Sequence, residues 1–114
     1  MNTLFKRLLI ACALSVAMFS ATGAQAVDEE AARVLARESN CFKCHSISKK
    51  GDGPAWKEVA AKYKGKPDAE AKLTQHITSG EKVKFEDGHE EEHKVVKSKD
   101  PAQVKNLVDF ILSR

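Results

Sequence analysis

Apolar residues recur at helical spacing in four stretches of this chain. After the acidic start Asp28-Glu29-Glu30, the residues Ala31, Val34, Leu35 and Glu38 fall three and four apart, which predicts a helix over 28–39. The run AWKEVAAKY predicts a short helix over 55–63, broken by Gly65 and Pro67. Residues 68–79 predict a third, with Leu73 and Ile77 four apart and Gly80 as its C-cap. Near the C-terminal end Asp100 reads as an N-cap, Pro101 as the first helical residue and Gln103 as a capping-box partner. They introduce a stripe of Val104, Leu107, Val108 and Ile111. Residues 81–99 show no period and read as a charged, irregular loop. The expected class is all-α: about four short helices, with no repeat and no internal linker.

The most apolar run lies outside this pattern. LLIACALSVAMFS, residues 8–20, follows Lys6 and Arg7 and precedes the small-x-small triplet Ala24-Gln25-Ala26. This is the plan of a cleaved secretion signal over 1–26, leaving 27–114 as a single exported domain. The run is shorter than the roughly 20 residues a membrane-spanning helix needs, so no stable membrane insertion is expected after cleavage. Cys12 follows Leu9-Ile10-Ala11 but is itself followed by apolar residues, and so belongs to the apolar run rather than to a lipid-attachment site.

Composition sets the remaining bounds. With 114 residues, 31% charged and 42% hydrophobic, the chain has a globular balance that excludes a multidomain enzyme or a polytopic membrane protein. The net charge of +3 includes Lys6 and Arg7; cleavage leaves 17 cationic against 16 anionic residues, a net +1. No basic footprint for nucleic acid remains. Cleavage also removes Met1 and Met18, so residues 27–114 contain no methionine and only two cysteines, Cys41 and Cys44. A domain this small has a thin core and leans on a staple, a metal or a cofactor.

Cys41-Phe42-Lys43-Cys44-His45 supplies one. C-x-x-C-H is the attachment sequence of c-type haem. Two thiols three residues apart on a helical turn reach the two vinyl groups along one haem edge, and the adjacent histidine falls under the iron as its proximal ligand. The competing readings are a redox-active C-x-x-C, a zinc site and a short-loop disulfide. The first needs a βαβ context that the chain lacks, and three ligands within five residues strain the tetrahedron of the second. An oxidising compartment permits the third. Around the motif, Pro54 follows His45 by nine residues and is a candidate to offer its carbonyl to the outer ring N–H. Trp56 and Tyr63 are candidates to wall the cofactor, or equally to be core residues with a polar tip.

With these residues in place, segment 28–114 resembles a short bacterial class I cytochrome c. The likeness is carried by the C-x-x-C-H of Cys41 to His45, the turn Gly53-Pro54-Ala55 and the run Val59-Ala60-Ala61-Lys62-Tyr63-Lys64-Gly65. It continues through Asp68-Ala69-Glu70 to Leu73 and the ending Phe110-Ile111-Leu112-Ser113. The resemblance implies a cytochrome c fold, with the short helices packed around one covalent haem c and its iron. It implies that the first and last helices cross near the haem edge, pairing Val34 and Leu35 with Leu107, Val108 and Ile111. It also implies a periplasmic, monomeric one-electron carrier that meets redox partner proteins through the exposed haem edge, and no enzyme activity of its own.

One departure is plain. The family's second iron ligand is a methionine in the loop before the last helix, and here that loop, EKVKFEDGHEEEHKVVKSK over 81–99, has none. His89 and His93 are the replacements to weigh. His93 is the expected distal ligand, because Val95 and Val96 follow it and can press the segment onto the haem face. His89 follows the turn signal Asp87-Gly88 and is the alternative. His76, on the preceding helix, reads as solvated, and Lys94 would have to lose its proton while buried. Two imidazoles lower a haem potential relative to a methionine-histidine pair. The other functional readings are a haem sensor or small-ligand binder with an open sixth site, and an electron-transfer subunit of a larger periplasmic oxidoreductase. Lys43, Lys49 and Lys50 suggest a positive rim at the motif, and Glu90 to Glu92 a negative patch on the loop.

Overall fold

The computed structural model describes residues 25–114. The leader expected at 1–26 lies outside the described residues, apart from its last two positions. Helix α1 spans Glu29–Glu38, and a single 3-10 turn follows at Cys41–Lys43. Helix α2 spans Trp56–Tyr63 and α3 Ala69–Ser79. Two short strands, β1 at Lys82–Lys84 and β2 at Glu90–Glu92, precede helix α4 at Pro101–Leu112. The class is the expected all-α one of four short helices, to which the structure adds this small hairpin.

The caps explain where the helices begin and end. Asp28 accepts a hydrogen bond from the Ala31 N–H, so the first turn of α1 has a side-chain partner. Asp100 does the same for Ala102, with Pro101 behind it. Gln103 does not close the expected capping box. Its amide oxygen accepts from the Ser98 hydroxyl at 2.6 Å, and the Ser98 oxygen accepts the Asp100 N–H at 3.1 Å. Ser98 thus does the work assigned to Gln103. Gly80 ends α3 at φ +68°, in the left-handed region where a side chain is disfavoured.

Helix α4 is the centre of the core. Val104, Leu107, Val108, Phe110 and Ile111 are all buried, and α4 packs on α1, α2 and α3. Its partner face on α1 is Ala32, Leu35 and Ala36, continued by the buried Ser39. Two alanines in that stripe leave room for the helices to approach closely. Val34 points elsewhere and is 37% exposed, so the expected pairing of Val34 with α4 is corrected to one made by Leu35 between two alanines. The ends of the pair are tied by Asn106, which accepts the Asp28 N–H and donates to the Asp28 carbonyl, and by Arg114 on Glu29.

The segment expected to be irregular forms an antiparallel hairpin. Its register sets Lys82 against Glu92 and Lys84 against Glu90, opposite charges facing across the ladder. Residues 85–89 close it, with Gly88 at φ +93° and Phe85 N–H bonded to the His89 carbonyl. Strands built mostly of lysine and glutamate show no apolar alternation, so hydropathy does not reveal them. Past β2 the ladder continues with His93 N–H donating to the Glu81 carbonyl at 2.9 Å, and Val96 N–H then ties the chain to α3 at the Ile77 carbonyl, 2.8 Å. Val96 is buried, whereas Val95 is 50% exposed. One valine, not both, presses this segment onto the core.

Candidate functional site

The fold surrounds a cavity of about 810 Å³, a size in the range of small-molecule and cofactor sites. Cys41, Cys44 and His45 line one side, Leu73 and Ile77 of α3 and Leu107 and Ile111 of α4 the floor, and the hairpin and His93 the other side. A tight local turn presents the first three. Cys44 and His45 N–H both donate to the Cys41 carbonyl, at 3.2 and 3.0 Å, and Asn40 enters the turn at φ +60°. The two thiols are free. Burial pushes the Cys41 thiol up, helped slightly by Cys44 and opposed by a backbone hydrogen bond, so it is a neutral thiol here.

His45 is gripped from behind. Its Nδ1 donates to the Pro54 carbonyl at 2.8 Å; a carbonyl only accepts, so Nδ1 carries a proton and Nε2 is the nitrogen left to meet a metal. The loop that brings Pro54 there is folded by Gly53 N–H to the Cys44 carbonyl and by Trp56 and Lys57 N–H to the carbonyls of Ser46 and Ile47. Gly53 lies flat on the imidazole: a Cβ at this position would stand 2.5 Å from His45 Cε1. Trp56 is buried, lines the cavity and stacks on His45 with ring centres 6.1 Å apart. It also meets Phe42 and the edge of Phe110, so wall and core are one role for this residue. Tyr63 is half-buried on the same lining.

Opposite His45 stands His93, with ring centres 6.1 Å apart and planes at 51°. His93 Nδ1 is buried without a hydrogen-bond partner. Burial, then the neighbouring His76 and His45, hold this imidazole below its ordinary value, against the Lys94 backbone and Glu81. It is therefore neutral at neutral pH, as a metal-binding imidazole must be. His89 is elsewhere. It sits exposed at the hairpin end, bonded to the Asp87 carboxylate and, at 3.2 Å, to Glu91, and it stacks on Phe85.

His76 differs from its expected place. It is half-buried, lines the cavity, and packs on His93 with ring centres 4.0 Å apart, while its Nδ1 donates to Glu81 at 2.6 Å. The signal for this was present, since Leu73, His76 and Ile77 are spaced i, i+3, i+4 on one helix face. The positive rim and negative patch are also changed. Lys50 pairs with Glu86 of the hairpin, and Glu90 and Glu92 face Lys84 and Lys82. Lys43, Lys49 and Lys50, and Glu90 to Glu92, are all exposed.

The donors fit a haem. Two imidazoles bonded from opposite sides to one metal, through bonds of about 2 Å, have ring centres roughly 6 Å apart. The 6.1 Å between His45 and His93 is that spacing. Among the described residues, no three His, Cys, Asp or Glu side chains converge as a site for a bare metal ion.

Four short helices around an apolar cavity, entered by a C-x-x-C-H turn and faced by an opposed imidazole, define a haem-holding α-protein. The chain belongs to the cytochrome c family, whose model matches residues 22–114. Members of this family bind one covalent haem c with its iron. The chain is similar to the class 1 cytochrome MtoD from Sideroxydans lithotrophicus ES-1, at 65% identity and a TM-score of 0.74, over 77% of this chain and 97% of that one. It is similar to Nitrosomonas europaea cytochrome c552, at 33% identity and a TM-score of 0.56, over 71% and 96%. Against Pseudomonas aeruginosa cytochrome c-551 it is 45% identical over 67 residues, 59% of this chain and 62% of the relative. The matches thus span about half to three fifths of the curated relatives' own length.

Proposed function

We propose that this protein is a periplasmic one-electron carrier whose haem iron is held by two histidines, His45 and His93, and whose potential lies below that of methionine-ligated relatives. The signal over 1–26 delivers it, and residues 27–114 act as one monomeric domain. In this reading Cys41 and Cys44 carry the thioether bonds. The observation that carries it is the pair of facing imidazoles with ring centres 6.1 Å apart, in a domain with no methionine.

Bound haem supplies reversible exchange of one electron at the iron. The chain's residues set the conditions for that exchange. The Pro54 carbonyl fixes the orientation of the His45 ring and turns its Nε2 toward the cofactor. His93 occupies the facing position, which leaves no room for a substrate and makes the site a carrier's rather than a catalyst's. Trp56, Leu107 and Ile111 keep water from one side of the cavity. Redox partners dock at the haem edge, beside the exposed Lys43 and Lys49.

The test is the absorption spectrum of the holoprotein, oxidised, reduced, then under carbon monoxide. The expected result is a low-spin spectrum without a sulfur-to-iron band, unchanged by carbon monoxide. His93→Met then introduces that band and raises the potential. A high-spin oxidised spectrum, or ready carbon monoxide binding by the unaltered protein, overturns the reading.

A further inference from the structure

The two facing imidazoles are held in different ways. His45 has a hydrogen bond from Nδ1 to the Pro54 carbonyl and a glycine pressed on its ring. Both fix its rotation. His93 has no such bond: its Nδ1 is buried and unpartnered. Its backbone is anchored by the N–H donated to the Glu81 carbonyl, but a backbone anchor does not set the ring's turn about the Cβ–Cγ bond. A metal-bound imidazole whose outer nitrogen makes no hydrogen bond needs some other restraint to keep one orientation.

His76 is placed to be that restraint. Its ring lies 4.0 Å from His93, centre to centre, closer than His45 does. It is itself held, because its Nδ1 donates to the Glu81 carboxylate at 2.6 Å. Glu81 therefore holds both residues, the backbone of His93 by its carbonyl and the ring of His76 by its carboxylate. Leu73 and Ile77, buried on the same face of α3, keep the helix that carries His76 in place.

We propose that His76, tethered to Glu81, is a positioning residue for His93: packed against it, His76 sets the plane of the distal imidazole and slows its release from the iron. This rests on the reading of His93 as the distal ligand. The ring that stands across from His45 is that of His93; His76 packs beside it.

The experiment uses the holoprotein and the variants His76→Ala, His76→Phe, Glu81→Ala and His93→Ala. The largest g value in the low-temperature EPR spectrum of the oxidised form reports the angle between the two imidazole planes. The rate at which added cyanide captures the oxidised iron reports how readily His93 leaves. His76→Ala is expected to shift the g value and speed capture by about tenfold. Glu81→Ala gives the same direction, and His76→Phe restores most of both readouts by replacing the ring.

The proposal is overturned if His76→Ala, folded by far-UV circular dichroism, keeps the g value and capture rate of the unaltered protein. It is equally overturned if His76→Phe behaves as His76→Ala does. If His76→Ala becomes high-spin while His93→Ala stays low-spin, His76 is the ligand and the proposal fails. A high-spin unaltered protein overturns the two-histidine reading along with it. A low-spin, bis-histidine protein with indifferent variants overturns the positioning role alone.

Discussion

At the scale of single residues, the difference between His89 and His93 is a difference of partners. Both lie in one short segment, and four residues of extended chain would point them the same way. They diverge because the Asp87 carboxylate captures His89 at the turn, accepting both its backbone N–H and its ring N–H, while the Glu81 carbonyl holds the backbone of His93 in the ladder. Asp87, and to a lesser degree Glu91, push His89 above the ordinary histidine value. Because the folded value is raised, the pair's contribution to stability is present at pH below the ordinary value. It is lost as pH rises through the raised midpoint, and on a fully exposed ring it is small. The prediction is spectroscopic. Ring-proton NMR of the reduced holoprotein should show His89 titrating with a raised midpoint, and Asp87→Asn should lower it. A His89 ring that does not titrate at all would mean that it is bound to the iron, and the assignment to His93 would be wrong. The sequence names both histidines as candidates, but the choice between them depends on which carboxylate reaches which ring, and spacing does not carry that.

At the scale of elements, the helices were legible and their faces less so. Caps and spacing place α1 to within a residue, since Asp28, the acidic first turn and the apolar positions all agree. The stripe that faces α4 is Ala32, Leu35 and Ala36. Scoring by size picks Val34, because alanine counts little in any apolar pattern. Yet alanine is what a close helix crossing requires. The hairpin is hidden for the converse reason: its strands are mostly lysine and glutamate, which read as solvent-exposed loop. A pair of substitutions checks the orientation of α1. Leu35→Ala should cost about 2–5 kcal/mol, the usual range for a buried leucine. Val34→Ala should stay within about 0.5 kcal/mol, as substitutions away from the core do. Thermal unfolding of the two holoprotein variants measures both. Equal losses would mean that Val34 packs on α4 after all.

At the scale of the whole molecule, the cavity and the small core are two sides of one problem. A domain of this size has a net stability of roughly 5–13 kcal/mol. Four apolar side chains that line the cavity, Val59, Tyr63, Val83 and Phe85, are only half-buried by the polypeptide itself. Completing the burial of each is worth about 1 kcal/mol or more, so together they amount to a large share of that stability. Two of the four lie on the hairpin side, which is otherwise held by exposed ion pairs such as Lys50 with Glu86, and those contribute little. On the proposed reading, a haem in this cavity would be a structural member of the domain as well as its redox centre. Replacing both Cys41 and Cys44 by alanine, with the haem not attached, removes that member while leaving every helix cap in place. The expected outcome is a loss of several kcal/mol, which for a domain this small lowers the melting temperature by about 20 °C or abolishes a cooperative transition. The hairpin should loosen first, because it has the fewest buried contacts of its own. Hydrogen exchange of the amides of Phe85 and His93 in the variant reads this locally, and calorimetry reads it globally. A haem-free variant that melts within a few degrees of the holoprotein, with those amides still protected, would mean that the helices alone complete the core, and the cofactor's structural role would fall.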